Sequence, residues 1–269
     1  MGTAYLHAVA SLDGYIADER DDVGPLHDWY FNGDHPLVDE DHADVHGAPF
    51  RVSAASADYV RGMWSRQQVL VIGRHQFDLT DGWEGHPPAG DHVVVVSHRP
   101  RPTGWHPEAS YHFATSVAEG IARARELAGE GEVGVGAGEV GGQALSLGLV
   151  DHVAIDIVPV VFGRGKPYFG TLANGHLVLE DPEVVIHGDG VLHLRYPVHR
   201  GRWMSPLIVP DVGTAGPDSA VGGSVRRRSS GSRHPGRRAL WLPVSTRRPG
   251  AARSGPTRLA GRPRRAPPP

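Results

Sequence analysis

The chain has 269 residues, a formal net charge of −3 and no cysteine, so disulfides and thiolate chemistry are excluded. The near-neutral total averages two unlike segments. Residues 1–200 hold 13 Lys+Arg against 28 Asp+Glu, whereas residues 201–269 hold 14 Arg against Asp211 and Asp218 alone.

In chain order, Thr3–Ala10 is apolar and β-prone, and Asp13-Gly14 makes a turn after it. Asp18 to about Ala48 is rich in Asp, His, Gly and Pro, and predicts a long surface loop with short helical pieces. Ser53 is an N-cap for a helix through Arg66, with Ala54, Ala57, Val60, Met63 and Trp64 as its apolar face. Gln68–Ile72 and His92–Val96 are apolar runs that predict buried strands. Tyr111–Phe113 is a short strand, and Ser116 caps a helix through Leu127. Glu132–Val135 is a strand, Glu139–Leu147 a helix stopped by Gly148, and Val153–Val158 a strand closed by Pro159. Leu177–Ile186 and Val191–Pro197 alternate as an antiparallel pair around Gly188-Asp189-Gly190. The expected architecture is α/β: a mixed, mostly parallel sheet flanked by helices in three layers, with an antiparallel C-terminal hairpin.

Residues 1–199 are long enough for one core of ordinary size. Residues 200–269 are rich in Arg, Pro, Gly and Ser without helical or strand period, which predicts a disordered tail. Its Arg226-Arg227-Arg228 cluster lacks interleaved aromatics, Trp241 standing alone, so nucleic-acid binding is not expected. No apolar run reaches the roughly 18 residues of a membrane span and no signal-like segment is evident, so a cytoplasmic protein without membrane partners is expected.

Four pieces fall at strand ends, where open α/β sheets place ligands. They are Ala10–Ala17 (ASLDGYIA), Gly73–Asp78 (GRHQFD), Ser97-His98-Arg99-Pro100, and the glycine turn Gly136-Ala137-Gly138-Glu139. A glycine-rich turn that opens a helix can lay backbone N–H groups against phosphate. Arg74 and Arg99 follow strands, where guanidinium forks grip a phosphate bidentately.

In their order, SLDGYIA, IGRHQFD and GLVDHVAIDIVPVVFGRGKPYF resemble the dihydrofolate-reductase-like superfamily. The branch is that of the C-terminal reductase domain of bifunctional riboflavin-biosynthesis deaminase-reductases, and the likeness spans about residues 3–198. It implies a dihydrofolate-reductase-like fold, NADPH as cofactor and a homodimer. Carried over position by position, it implies cofactor contacts at Val9, Gly73, Arg74, His75, Gln76, Ser97, Arg99, Gly136, Ala137, Gly138 and Glu139. Ala137 stands where the superfamily commonly has glycine, and Gln76 where it often has threonine. The acids expected to serve catalysis are Asp13, in the SLDG turn, and Asp58, on the helix before the second strand.

The implied activity is an NADPH-dependent reductase passing hydride to a small heterocyclic or ribosylated molecule. The default substrate is 5-amino-6-(5-phosphoribosylamino)uracil, with a pterin-like molecule as another option. The biosynthetic enzymes usually carry an arginine after the SLDG turn and a D-[ND]-P-x-L stretch; Tyr15 and Asp78–Gly82 stand here, which makes a substrate without phosphate a serious option beside the default. Lys166, the sole lysine, is read as a structural turn residue.

A non-catalytic nucleotide-binding module is the alternative. So is a Rossmann-type enzyme, because Gly136–Gly141 satisfies G-x-G-x-x-G and Asp156 follows about twenty residues on. Asp156, however, lies inside an apolar alternation. His42 and His46, with Asp39, Asp41 and Asp44 nearby, lack the glutamate of HExxH, and no metal is expected.

Overall fold

The computed structural model describes residues 2–37, 50–173 and 175–199, together with the backbone of 203–204. The His42/His46 segment and nearly all of the arginine-rich tail lie outside the described residues.

Eight strands build the main sheet. They are β1 (Ala4–Ser11), β2 (Gln67–Gly73), β3 (His92–Val96), β4 (Tyr111–Ala114), β5 (Glu132–Gly136), β6 (His152–Val158), β7 (Val184–Gly188) and β8 (Val191–Pro197). Their order across the sheet is β7-β8-β6-β1-β5-β2-β3-β4. From β6 to β4 every pairing is parallel. β8 runs antiparallel to β6, and β7 to β8. The α-helices among the described residues are α1 (Ala54–Arg66), α2 (Arg74–Thr80), α3 (Val117–Ala128) and α4 (Glu139–Ser146).

Strand alternation assigns each layer its side chains. Ala4, Leu6 and Ala10 of β1 face a core shared with Ile121 and Ala124 of α3 and Ala144 and Leu145 of α4. The opposite face, through Tyr5 and Val9, packs on Ala57, Val60 and Met63 of α1 and on Leu26 and Trp29 of a 3-10 turn, Gly24–Phe31. Farther along that face, Ile72, Val93 and Val95 pack on Phe77 of α2, Trp83 and Tyr111.

Both predicted serine caps are present. Ser53 accepts from Ser56 N, and Ser116 accepts from Glu119 N at 3.2 Å while the Glu119 carboxylate takes the Thr115 N–H at 2.8 Å.

Two elements differ from expectation. Residues 74–80 form helix α2 where the sequence shows only a turn. The first strand of the closing pair begins at Val184, while His176–Leu177 pair instead with Trp203–Met204. Pro182 has no N–H to give a ladder and separates the two segments.

Glycine at 142 is a packing requirement. A Cβ there would sit 2.0 Å from Phe169 O, whereas one at Gly62, inside α1, would find nothing nearer than Arg66 Nη1 at 3.5 Å. Gly142→Ala is therefore expected to destabilise the fold by roughly 1–3 kcal/mol. Gly62→Ala is expected to stabilise it by about 0.5–1 kcal/mol. Chemical denaturation of the two variants checks the opposite signs.

Candidate functional site

Because six neighbouring strands run parallel, Ser11, Gly73, Val96, Ala114, Gly136 and Val158 all end on one edge of the sheet. All four motif loops therefore share that edge. They are also tied to one another. Tyr168 N donates to Gly14 O at 2.9 Å, and Gly138 N donates to Tyr168 O at 2.7 Å, so the SLDG turn, the GKPYF segment and the glycine turn form one hydrogen-bonded unit. Tyr15–Ala17 and Lys166–Pro167 add a small antiparallel pair to it.

Asp13 is spent on this scaffold. Its carboxylate accepts from Ser11 Oγ at 2.6 Å, Phe162 N at 3.1 Å and Gly163 N at 2.6 Å. The Ser11 hydrogen bond, then those from the Gly163 and Phe162 backbone, hold its carboxyl below the usual range. A carboxylate so engaged orders the loop and is poorly placed to give a proton.

At the other end of the edge, two guanidiniums converge on one carboxylate. Arg74 Nε lies 2.6 Å from Asp78 Oδ1, and an Arg99 Nη lies 2.5 Å from Asp78 Oδ2. Burial opposes the Asp78 charge, but the hydrogen bonds from Arg74 and Arg99 outweigh it and hold the carboxyl low. Ser97 Oγ accepts from Arg99 N at 2.9 Å and shapes this loop. His75 Nε2 lies 3.0 Å from Asp21 Oδ1, and Lys166 Nζ lies 3.5 Å from the same oxygen. The loop after β1 is thereby joined to the start of α2.

The two helix starts adjoin. A Cβ at Gly73 would touch Val140 Cγ2 at 3.1 Å, and one at Gly136 would meet Gln76 Oε1 at 3.0 Å. Gly138 has φ +89°, a left-handed conformation that excludes most side chains. Ala137 fits beside it without strain, and Glu139 accepts from Thr171 Oγ1 at 3.2 Å.

The proposed residues do not all converge. Asp58 points outward, its side chain 88% exposed and 3.8 Å from Arg61. Val9 is buried in the core on the α1 side. Ser56, two positions before Asp58, is a polar α1 residue that turns inward beside Ala57, Val60 and Met63.

Ser56 leads to a cluster that sequence reasoning missed. Asp156 is fully buried, with Oδ1 at 2.6 Å from His193 Nδ1 and Oδ2 at 3.1 Å from His7 Nε2. His193 Nε2 lies 3.0 Å from Ser56 Oγ. Burial works against the Asp156 charge, but the His7 charge and the hydrogen bonds from both imidazoles overcome it and hold its carboxyl well below the usual carboxylate range. Tyr30, Tyr59 and Tyr168 have their phenols pushed up by burial first and by the Asp156 charge second. Asp156 therefore cannot reach a ribose hydroxyl, which removes the Rossmann alternative. The available signal was a polar residue at an inward position of each apolar strand: His7 in AYLHAVAS, Asp156 in HVAIDIV and His193 in VLHLRYP.

With this geometry in view, comparison with known proteins is informative at the level of fold. No protein-family model matches the sequence, and no curated protein does. Among solved structures, a protein from Shewanella sp. PV-4 named for riboflavin biosynthesis matches 74% of this chain and 100% of its own, with TM-score 0.51 and 23% identity. The fold is dihydrofolate-reductase-like. The deaminase/5-amino-6-(5-phosphoribosylamino)uracil reductase of Thermotoga maritima matches over the same 74% at 15% identity and TM-score 0.49, and this chain spans 57% of its length. A pyrimidine reductase-like protein from Corynebacterium diphtheriae gives 16% identity, TM-score 0.42 and 92% of its length. Among the described residues no helix is long and apolar enough to cross a membrane.

Burial, partly offset by the Asp28 and Asp156 charges, pushes His27 from the usual 6.5 down to about 4. The unfolded chain then takes up its proton first as pH falls, so stability is present above pH 6.5 and is lost between 6.5 and about 4. His27→Gln should flatten that part of the curve of melting temperature against pH. An unchanged slope would contradict this origin.

Proposed function

We propose that the strand-end cleft binds NADPH and that the protein is a reductase of a small heterocyclic molecule. The supporting observation is the convergence of Arg74 and Arg99 on a single carboxylate, next to a glycine turn that opens a helix on the same edge. Two guanidinium forks aimed at one oxyanion fit a 2′-phosphate, with Asp78 occupying the place that the phosphate would share. The Gly138 N–H is taken by Tyr168 O, so a pyrophosphate here would meet the first-turn N–H groups of α4 that follow it, from Glu139 on. When bound, the cofactor supplies a hydride.

The rest of the chemistry belongs to the chain. Leu12 and Val161 are 66% and 67% exposed on loops joined by a 2.8 Å hydrogen bond from Leu12 N to Val160 O. They offer apolar contact to a flat ring at the cleft mouth. Asp13 fixes the loop that carries Leu12. The cations nearest this end are already engaged: Lys166 with Asp21, and Arg164 with Glu19 at 3.8 Å. Tyr15, not an arginine, follows the SLDG turn, which favours an unphosphorylated heterocycle over 5-amino-6-(5-phosphoribosylamino)uracil.

Titration of the protein with NADPH and with NADH tests the reading. NADPH should bind in clear preference, and Arg74→Ala or Arg99→Ala should each weaken it by roughly tenfold or more while leaving NADH nearly unaffected. Equal affinity for the two nucleotides, or arginine variants without effect, would overturn it. Consumption of NADPH with unphosphorylated pterin or pyrimidine acceptors separates an enzyme from a binding module.

A further inference from the structure

A continuous chain of polar groups runs through the α1-side layer and ends at one partly exposed imidazole. Ser56 N donates to Ser53 Oγ at 3.4 Å, and the Ser53 hydroxyl donates to Ser56 Oγ at 3.1 Å. The Ser56 hydroxyl hydrogen is then free for His193 Nε2, 3.0 Å away. With the Ser56 hydroxyl donating, Nε2 carries no proton, and His193 is then the neutral ring with its hydrogen on Nδ1, donated to Asp156 at 2.6 Å.

Asp156 is a carboxylate without a Lys or Arg partner among the described residues; its polar contacts are His193 and His7. An unbalanced anion at this depth is costly, so the compensating positive charge falls to His7. His7 Nε2–H donates to Asp156, leaving Nδ1 as the nitrogen that can face outward. The His7 side chain is 20% exposed, whereas those of Asp156 and His193 are fully buried.

His7 also stands in the right place. It pairs in register with Gly136, the last residue of β5 and the first of the glycine turn, so it lies one strand spacing from the proposed cofactor cradle. An indole and a phenol border His193 without partners among the described residues: Trp29 Nε1 and Tyr59 OH are buried without a hydrogen bond there, their rings 5.2 and 4.8 Å from the imidazole.

We propose that His7 is the proton donor of this site, held charged and oriented by Asp156, with His193 and Ser56 as positioning residues behind it. This rests on the reductase reading and narrows its substrate to a compound with a C=N or C=O bond. The substrate carbon gains the hydride that NADPH supplies on becoming NADP+. The π pair moves to the heteroatom, which takes the proton from His7 Nδ1, and His7 recovers a proton from water at its exposed edge. Its own neighbours are Asp156 on β6, Tyr5 on its own strand and His27 on the 3-10 turn, while His193 on β8, Ser56 and Tyr59 on α1, and Tyr30 on the 3-10 turn bear on it through Asp156 and His193.

Two measurements on the full chain decide this. In ¹⁵N imidazole spectra without nucleotide, His193 should show the neutral Nδ1–H tautomer, and His7 should be the ring of the pair that carries the extra proton. Asp156→Asn, checked for folding by its melt, should discharge His7 at the same pH. With an acceptor that the wild type reduces, His7→Gln should lower kcat about 100-fold and abolish the alkaline limb of the pH profile while leaving NADPH affinity intact. Wild-type kcat in His7→Gln, or the extra proton on His193, overturns the proposal. Failure of the wild type to bind NADPH instead overturns the reductase reading and removes the donor role with it.

Discussion

Parallel pairing of β1 with both β5 and β6 places the strand that carries the SLDG turn between the strand that opens the glycine turn and the strand that leads into the GKPYF segment. The meeting of the four motif loops on one edge depends on that arrangement. Segments from residue 11 to residue 168 come together because each connection returns over a face of the sheet and starts again at the opposite edge. The Tyr168 hydrogen bonds to Gly14 and Gly138 fix the spacing of three of these loops, and its hydroxyl is anchored below them on Ala154 O at 2.8 Å. The antiparallel β7–β8 pair closes one side and adds His193 to the interior.

The Asp156 anion is the most expensive feature of this interior. A fold of this size has an apolar residue to spare for the middle of β6, and a buried carboxylate between two histidines stabilises poorly compared with good packing. Its surroundings are adapted to it: a serine pair satisfies the far side of His193, and Gly188 leaves room for the Ser56 hydroxyl, which would lie 2.1 Å from a Cβ at that position. The Asp78 carboxylate, half-exposed between two arginines, is a different case. Solvent screens it, and its value lies in holding both guanidiniums in one place.

The sheet was readable because each strand is a bounded apolar run, and the caps were readable because Ser53 and Ser116 precede periodic segments. Helix α2 was hidden by its shortness: seven residues starting with Arg-His-Gln give no apolar period. Leu177 looked continuous with Val184–Ile186 until Pro182 is weighed as a residue with no ladder donor. Within the site, the arginines and the glycine turn were visible as local motifs, but their convergence on Asp78 is tertiary. Asp58 and Ser56 show the limit most clearly. Two positions on a helix turn the side chain through about 200°, so the acid chosen for its chemistry faces water while the serine faces the sheet.

The central claim, that the edge formed by the parallel strands is a dinucleotide site, is tested most directly by amide chemical shifts during addition of NADPH to the protein. The account predicts that the perturbed amides map to Gly73–Phe77, Ser97–Arg99 and Gly136–Val140, with His7 and Gly14 shifting alongside them. Perturbations confined to the opposite edge of the sheet, or no perturbation at saturating nucleotide, would contradict it.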